Sequence, residues 1–468
     1  MRLTSEQLLA DPIGLYPAAT VACFDAVAGD LPRRRLDDEK NVRFLERLAD
    51  VGAPAVLIAA STGHGHVRTL EELRHWLRIA VTARLRNTVP IALLRPEDGV
   101  DANRQLVRDL REWGYPIVFV RPGTNVPKDA TDEQIAANVQ PVVEAAANQG
   151  LAVGVYSIPD VSGVQLTPAA VALLVKAPGG RNLVAVKVTE ANYDLSTLRF
   201  LEHPALRHLK IVQGWDPHLA RALRDGPSYD AQRRQRCGVT SGPMSFAVYQ
   251  YLHLFDAAER DDWEEVAHAQ LAVTLLFQAM QDDPTKFADL QRAKYIMGLG
   301  QPLTGQVSAV QAEKVLATLA NLQRPADLFR MSRSLDLMGD GPYHARLAAL
   351  SAADNDTTVA ELRGRLKKFV ADRSWEQFHS PKNLAMSLSI EAAELMEHFQ
   401  WITTDASRTL HQEPGAWQKV REELADVLCY TLALANELEI DLSAAFHDKM
   451  VQNGVKYPPP KQQPPQQQ

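Results

Sequence analysis

Short apolar runs recur at nearly even intervals along the first half of the chain, each followed by a stretch of amphipathic pattern. Such runs predict buried strands, and intervals of roughly 25 to 40 residues leave room for one helix between successive strands. The runs are Ala18 to Ala22, Ala55 to Ala59, Pro90 to Leu93, Ile117 to Val120, Ala152 to Tyr156, Leu183 to Lys187, Leu209 to Val212 and Cys237 to Ser241. Eight parallel β/α units close into a ring, so the pattern predicts a (β/α)8 TIM barrel.

Beyond the eighth run the apolar residues repeat with the period of a helix, which indicates helices packed on the barrel and a first domain of residues 1–330. Small and polar residues between 331 and 356 predict a linker. Residues 357–458 have a helical pattern without strand-like alternation, which predicts a second, all-α domain. Residues 459–468 are rich in Pro and Gln and are predicted to be disordered.

Composition excludes several classes of protein. The net charge of −7 argues against a general nucleic-acid surface, because such surfaces neutralise phosphates with clustered Lys and Arg. Cys23, Cys237 and Cys429 lack a paired spacing, so neither disulfides nor a zinc site are predicted, and a reducing cytoplasm fits best. The chain has no basic and apolar leader and no run of about 18 apolar residues, so we expect neither a signal peptide nor a membrane span.

Two pairs of acids in the second domain share one spacing. Glu391 and Glu394 stand three residues apart, and Glu423 and Asp426 repeat that spacing in the next long helix, so each pair projects from one helix face. Converging carboxylates repel unless cations lie between them, and Mg2+ prefers carboxylate and phosphate oxygens. The pairs therefore predict a metal site, the alternative being ordinary surface acids. Apolar neighbours predict a core-facing stripe beside them: Ala392, Ala393, Leu395, Leu424, Ala425 and Val427.

Around these acids the chain resembles the all-α, MazG-like nucleoside triphosphate pyrophosphohydrolases, and more narrowly the dCTP pyrophosphatase subgroup. The matching segments are RSWEQFHSPKNLAMSLSIEAAELMEHFQW, EELADVL and KMVQNGVKYP, in that order. The resemblance implies that Glu391, Glu394, Glu423 and Asp426 ligate Mg2+, which bridges a nucleoside triphosphate and helps to activate water. The implied products are a nucleoside monophosphate and pyrophosphate.

The same resemblance implies the other site residues. Lys449, Asn453 and Tyr457 match positions near the phosphates, where a lysine offsets negative charge. Aromatic faces and polar groups match the pocket for base and sugar, at Trp375, Phe378, His379, Asn383 and Trp401. For Phe378, packing in the core is an equally open interpretation. The family completes its site across a subunit contact, which implies a homo-oligomer, and the subgroup implies a preference for pyrimidine deoxynucleotides.

Two strand ends in the barrel carry chemically useful side chains. Lys187 follows LVAV and Tyr156 closes AVGVY, and the active sites of such barrels lie at the carboxyl ends of the strands. A lysine emerging from an apolar strand is partly desolvated, which lowers its pKa and frees the amine to attack a carbonyl group. The alternative is a lysine paired with a carboxylate such as Glu190.

At these residues the barrel resembles the dihydrodipicolinate synthase and N-acetylneuraminate lyase family of class I aldolases. Ser61 and Thr62 of ASTGHG match its substrate-carboxylate loop, and Gly214 of QGWD matches its glycine turn. The resemblance implies that Tyr156 relays a proton and that Lys187 forms a Schiff base with a 2-oxo acid such as pyruvate. Together the two halves predict a bifunctional enzyme, the alternative being a barrel that only senses a ligand or assembles the protein.

Two departures from that family stand out. His64 occupies the place of an acidic residue, and Arg121 and Pro122 replace an aromatic pair after the fourth strand. The second change removes the tyrosine that completes a proton relay across subunits. We therefore expect a lyase or aldolase acting on another 2-oxo acid rather than dihydrodipicolinate synthesis.

Overall fold

The computed structural model describes residues 2–29, 34–280, 288–303, 306–322, 324–350, 357–410 and 413–458. The chain divides into two compact units, Met1–Ser351 and Ala352–Gln468. The tail 459–468, for which disorder was predicted, and residues 351–356 of the predicted linker lie outside the described residues.

Eight parallel strands of the first unit close into a barrel in chain order, with the last strand pairing with the first. The strands are β1 (Ala19–Ala22), β2 (Ala55–Ile58), β3 (Val89–Leu94), β4 (Ile117–Val120), β5 (Ala152–Ser157), β6 (Leu183–Val188), β7 (Lys210–Gln213) and β8 (Cys237–Ser241). Every strand residue is buried, as expected when helices cover a parallel sheet. The predicted (β/α)8 fold is confirmed, and each predicted run forms one of these strands.

Helices surround the strands and continue after β8. They are α1 (Ser5–Ala10), α2 (Pro12–Leu15), α3 (Asp38–Asp50), α4 (Leu70–Ala80), α5 (Val100–Glu112), α6 (Asp132–Asn148), α7 (Pro159–Ser162), α8 (Pro168–Lys176), α9 (Thr197–Glu202), α10 (Leu219–Asp225), α11 (Val248–Glu259), α12 (Trp263–Met280), α13 (Ala288–Ile296), α14 (Ala309–Ala320), α15 (Pro325–Leu335) and α16 (His344–Leu350). Capping boxes begin several of them; Thr69 and Glu72, for example, satisfy each other's backbone N–H groups at the start of α4.

Two features of the first unit were not predicted. Val27–Ala28 and Arg35–Leu36 form a short antiparallel pair, which is too brief to carry a periodic signal. Helix α16 occupies part of the predicted linker, and its Leu347 is fully buried. Because polar residues surround this helix, the sequence pattern there is typical of a linker. The chain remains packed in the first unit through residue 350.

The second unit is helical, as predicted. Its helices are α17 (Val359–Ala371), α18 (Pro381–Glu397), α19 (Thr404–Thr409), α20 (Pro414–Glu437) and α21 (Leu442–Lys456). Helix α18 packs along α20, and Arg363 of α17 donates to Asn436 Oδ1 at 2.8 Å and to the Ile440 carbonyl oxygen at 2.9 Å. No helix among the described residues is long and apolar enough to span a membrane.

Candidate active sites

Lys187 and Tyr156 lie side by side at the carboxyl ends of β6 and β5. The register pairs the two residues, and Lys187 Nζ lies 4.1 Å from the centroid of the Tyr156 ring. Burial lowers the pKa of Lys187 to about 7, although Asp216 acts to raise it. The Tyr156 hydroxyl shares a hydrogen bond of 3.0 Å with Thr189 Oγ1. A substantial fraction of this amine is therefore uncharged, and nucleophilic, at neutral pH.

Glu190, the proposed alternative partner of this lysine, is engaged elsewhere. Ser157 Oγ donates to Glu190 Oε1 at 2.6 Å, and Gln165 Nε2 donates to Oε2 at 2.7 Å. Among the described residues, no hydrogen bond or ion pair joins Lys187 to a carboxylate. The lysine is thus held by burial rather than by a salt bridge.

Asp216 is a buried acid near the lysine that the sequence reasoning missed. Its carboxylate accepts hydrogen bonds from the hydroxyls of Ser241 and Tyr251, whose oxygens lie 3.1 Å apart. Burial raises the pKa of Asp216 to about 6. The only sequence signal is the acid of QGWD, two residues after the glycine turn. This group can hold or release a proton near neutral pH, close to the amine whose charge it influences.

Gly214 leaves the space through which the lysine passes. A Cβ at this position would lie 2.1 Å from Thr189 Oγ1 and 3.0 Å from Lys187 Cε. Lys187 is the candidate nucleophile and Thr189 shares the hydrogen bond with the Tyr156 hydroxyl, so a side chain at Gly214 would displace both groups.

We therefore expect Gly214→Ala to prevent the covalent trapping of Lys187 by a 2-oxo acid and borohydride. The same substitution should lower the free energy of unfolding by about 1 to 3 kcal/mol, because the added methyl group overpacks the site. Intact-mass analysis after borohydride reduction and urea unfolding measure the two effects. The matched control is Gly364→Ala, where nothing lies within 4 Å of the added Cβ. Undiminished trapping in the Gly214 variant would contradict the packing argument.

Ser61 and Thr62 form a buried 3-10 turn directly after β2. The turn lies against the end of β8, because a Cβ at Gly242 would approach Thr62 Oγ1 to 2.6 Å. The candidate carboxylate loop, the lysine and the tyrosine are thus all placed at one end of the barrel.

The barrel departs from the resembled family at His64 and at Arg121 and Pro122, and these residues follow β2 and β4 at the carboxyl ends of the strands. Arg121 is buried, pairs with Glu97, and donates to the Pro122 carbonyl oxygen at 2.8 Å. Burial raises the pKa of the Tyr156 hydroxyl, whereas Thr189 and Arg121 act to lower it. A cation thus lies near Tyr156 where the resembled family has an aromatic residue.

The carboxylates of the second unit converge between α18 and α20. Oxygen atoms of Glu391, Glu394 and Glu423 all lie within 4.8 Å of one another. Burial raises the pKa of Glu391, and the negative charges of Glu394, Asp426 and Glu423 raise it further. Carboxylate oxygens at this spacing suit a hard divalent cation.

The exposure of the residues that flank this cluster, and a histidine beside it, were not predicted from the sequence. The predicted core-facing stripe is not buried within the chain: Leu424 is 56% exposed, the three alanines are exposed, and Leu395 and Val427 are half-buried. His398, four residues after Glu394, was missed; its Nε2 lies 4.0 Å from Glu423 Oε1.

The residues matched to the phosphates lie on α21 or directly after it. Lys449 and Asn453 are four residues apart on this helix, whereas Tyr457 follows its last residue and donates its N–H to the Asn453 carbonyl oxygen at 2.8 Å. In the described part of the chain, no hydrogen bond or ion pair joins their side chains to the four acids. The structure therefore places these residues in the second half of α21 and at its end, without such a contact to the metal cluster among the described residues.

Four of the residues matched to the base pocket lie in or beside the turn before α18, and Trp401 follows the end of that helix. Asn383 Nδ2 donates to the Phe378 carbonyl oxygen at 3.1 Å, and His379 ends the turn. Trp375 contacts the Phe369 ring edge to face, with centroids 5.8 Å apart. Phe378 is 60% exposed and Trp401 is 87% exposed, so core packing within the chain does not explain either ring.

Comparison with solved structures identifies the barrel fold. An Escherichia coli prophage protein of the dihydrodipicolinic acid synthase family, solved in complex with pyruvate, aligns over 66% of this chain and 99% of its own, with a TM-score of 0.55 and 17% identity. Dihydrodipicolinate synthase from Aquifex aeolicus aligns over 66% and 99%, with a TM-score of 0.53 and 18% identity. The barrel and its helical extension thus have the fold of that family.

Sequence comparison identifies the second unit. Rat dCTP pyrophosphatase 1 is 43% identical over 110 residues, which are 22% of this chain and 61% of the rat protein. The bovine protein is 38% identical over 129 residues, which are 27% of this chain and 76% of the bovine protein. The model of the MazG-like family matches residues 386–468. Through this carboxy-terminal region, the chain belongs to the MazG-like family.

Proposed function

We propose that the second unit hydrolyses a nucleoside triphosphate to a nucleoside monophosphate and pyrophosphate. The observation that carries this proposal is the convergence of Glu391, Glu394 and Glu423, with Asp426 near enough to raise the pKa of Glu391. These four carboxylates would hold Mg2+, whose chemistry at such a site is neutralisation of phosphate charge and activation of water. In the reaction, water adds to the α-phosphorus while the bond from that phosphorus to the β-phosphate oxygen breaks.

The other matched side chains would orient the nucleotide. Lys449 would place a compact positive charge near the departing pyrophosphate, where negative charge develops. His398 would hold Glu423 in position through its ring nitrogen. The exposed rings of Trp375 and Trp401 would stack on the base. The similarity of this region to dCTP pyrophosphatase 1 supports a pyrimidine deoxynucleotide, dCTP above all, as the preferred substrate.

The direct test is a panel of ribo- and deoxynucleoside triphosphates assayed for pyrophosphate with and without Mg2+. The proposal expects release that depends on the metal and is fastest with dCTP. A preference for purines would overturn the substrate assignment, and activity undiminished by EDTA would overturn the metal assignment.

Trp401→Ala is expected to raise the KM for dCTP about tenfold or more, since an aromatic ring stacked on a base contributes on this scale. The 87% exposure of the ring means that its loss should not affect folding of the single chain. Steady-state kinetics measure the change. Trp417→Ala is the control, because this half-exposed tryptophan of α20 lies outside the matched pocket. An equal change in both variants would contradict a specific stacking role.

We propose a homo-oligomer joined through the second unit. Its exposed apolar side chains are numerous for one chain and include Trp401, Phe446 at 70% and Val455 at 81%. Large exposed apolar patches mark association surfaces. Light scattering of the intact chain tests this proposal, and a strictly monomeric mass would overturn it.

A second function is favoured by the buried lysine of the barrel. We propose that Lys187 attacks the carbonyl carbon of a 2-oxo acid such as pyruvate, and that the oxygen leaves as water to give a Schiff base. Ser61 and Thr62 would bind the carboxylate, and Tyr156 would move the proton. The competing proposal is a barrel that only senses a ligand or assembles the protein; it predicts no covalent adduct and an effect of 2-oxo acids on nucleotide hydrolysis.

A further inference from the structure

The turn that carries Ser61 and Thr62 is held in a strained conformation. Ala59 and His64, on either side of it, both adopt left-handed backbone angles, with φ of 66° and 56°. Residues other than glycine seldom adopt these angles, and histidine adopts them more often than alanine does. Three backbone hydrogen bonds close the turn, from Gly63 and Gly65 to the Ala60 carbonyl oxygen and from His64 to that of Ser61. Strain of this kind persists only where the surroundings fix it, and it concentrates at ligand-binding sites.

A buried ionic cluster around Asp25 fixes one end of this turn. His64 Nδ1 lies 3.1 Å from Asp25 Oδ1, Lys294 Nζ donates to the same oxygen at 2.6 Å, and Arg68 donates to Oδ2. All four side chains are at most 2% exposed. Burial acts to raise the pKa of Asp25, but Lys294, His64 and Arg68 outweigh it and keep the carboxylate ionised. We name these four residues the Asp25 cluster.

Arg95 holds the turn from the next strand. Its Nη1 donates to the carbonyl oxygens of Gly65 at 2.7 Å and Arg68 at 2.9 Å, while Asp98 binds the same guanidinium at 2.6 and 2.8 Å. Gly65 must be glycine here, since a Cβ would lie 1.8 Å from the Ala59 carbonyl oxygen. The turn is therefore fixed by charged groups that follow β1, β2 and β3.

The cluster also suits a histidine rather than an acid at position 64. A carboxylate at position 64 would lie beside the Asp25 carboxylate, and two such buried charges repel. An imidazole instead donates its Nδ1 proton to Asp25. His64 and Asp25 are therefore chemically complementary in this chain.

We propose that the Asp25 cluster consists of positioning residues that hold Ser61 and Thr62 in place for the carboxylate of the 2-oxo acid. This inference rests on the proposed Schiff-base function of Lys187. None of the four residues has to touch the reacting atoms. Loosening the cluster should weaken substrate capture while leaving the lysine chemistry itself unchanged.

The test is borohydride trapping of the full chain across a range of pyruvate concentrations, with two variants at one position. His64→Asn keeps a short side-chain donor for Asp25 and tolerates left-handed angles. His64→Gly tolerates those angles even better but has no donor. Comparing the two separates the hydrogen bond from the backbone strain.

We expect His64→Gly to raise the half-saturating pyruvate concentration about tenfold, as loss of a hydrogen bond to a charged group implies. The yield at saturation should stay unchanged, and His64→Asn should remain within about threefold of the parent. Should His64→Gly fail to fold, Arg68→Gln provides the second variant, because it removes another donor to Asp25 from the same cluster. The same rise is expected.

The outcomes are distinguishable. An unchanged half-saturating concentration in folded His64→Gly, with normal trapping of the parent, overturns the positioning role alone. Parent protein that forms no adduct with pyruvate or other 2-oxo acids overturns the Schiff-base proposal and the positioning role with it. A change in thermal unfolding without a change in half-saturation assigns the cluster to stability only and also overturns the inference.

Discussion

Glu391→Gln is expected to abolish magnesium-dependent pyrophosphate release, with a loss of at least about a hundredfold, because ligand removal weakens metal affinity more than the loss of an outer partner does. The fold should survive, since the side chain keeps its size and one charge of a repelling group is lost. Pyrophosphate assay and circular dichroism measure the two effects. Glu397→Gln is the control, because Glu397 lies on the same helix and is exposed. Full activity of the Glu391 variant would contradict the metal assignment.

Glu391→Gln is also expected to change how the thermal stability of the metal-free protein depends on pH. The pKa of Glu391 is raised in the folded chain by burial and by Glu394, Asp426 and Glu423. A carboxyl group with a raised pKa is bound to its proton more tightly when folded, so its contribution to stability is lost as pH rises through that pKa. As pH falls through the carboxyl range, the metal-free parent protein should therefore gain thermal stability relative to the Glu391→Gln variant. An identical pH dependence would show that the acids do not interact.

Incubation with pyruvate and borohydride is expected to add one reduced pyruvyl group to Lys187, with the hydride converting the imine to a secondary amine. The rate should rise as pH increases through about 7, since attack needs the neutral amine and burial lowers the pKa of Lys187 to about 7. An ordinary lysine, with a pKa near 10.4, would be almost fully protonated there. Peptide mapping across pH measures the adduct, and Lys187→Arg should form none.

The chain contains its own control for this experiment. Lys210 is also buried and its pKa is lowered by burial to about 8, but it opens β7, at the opposite end of that strand from Gly214. Its Nζ donates to the carbonyl oxygens of Ile13 and Gln235, at 3.0 and 2.7 Å. Labelling of Lys187 alone supports a site at the carboxyl rim. Equal labelling of both lysines, or of neither, would favour the sensing or assembly role.

The fold was predictable because strand burial is written into local sequence. Runs such as Ala152 to Tyr156 are continuously apolar, and only one closed arrangement accommodates eight of them in sequence with helices between. The carboxylate pairs were predictable for a similar reason, since a spacing of three places both side chains on one helix face. Helix α16 was missed because its polar surroundings carry the signal of a linker.

Contacts between residues that are far apart in the sequence could not be predicted from local sequence patterns. Asp25 and Lys294 form a hydrogen bond although 269 positions separate them in the sequence. The residues around each of them carry no pattern that predicts this contact. Burial raises the pKa of Asp216, whereas the hydroxyls of Ser241 in β8 and Tyr251 in α11 act to lower it. The exposure of Leu424 likewise depends on which elements cover α20, and no helical period specifies this.

The pairing of β1 with β8 has a consequence for biosynthesis. Because Ala19 to Val21 pair with Val239 to Ser241, the ring cannot be completed until the segment near residue 241 has left the ribosome. Until then the growing sheet has two open edges, whose unpaired backbone N–H and C=O groups can pair with strands of other chains. Pauses in translation before that point should expose the nascent chain to aggregation, and a chaperone acting there would protect the open ends rather than the finished protein.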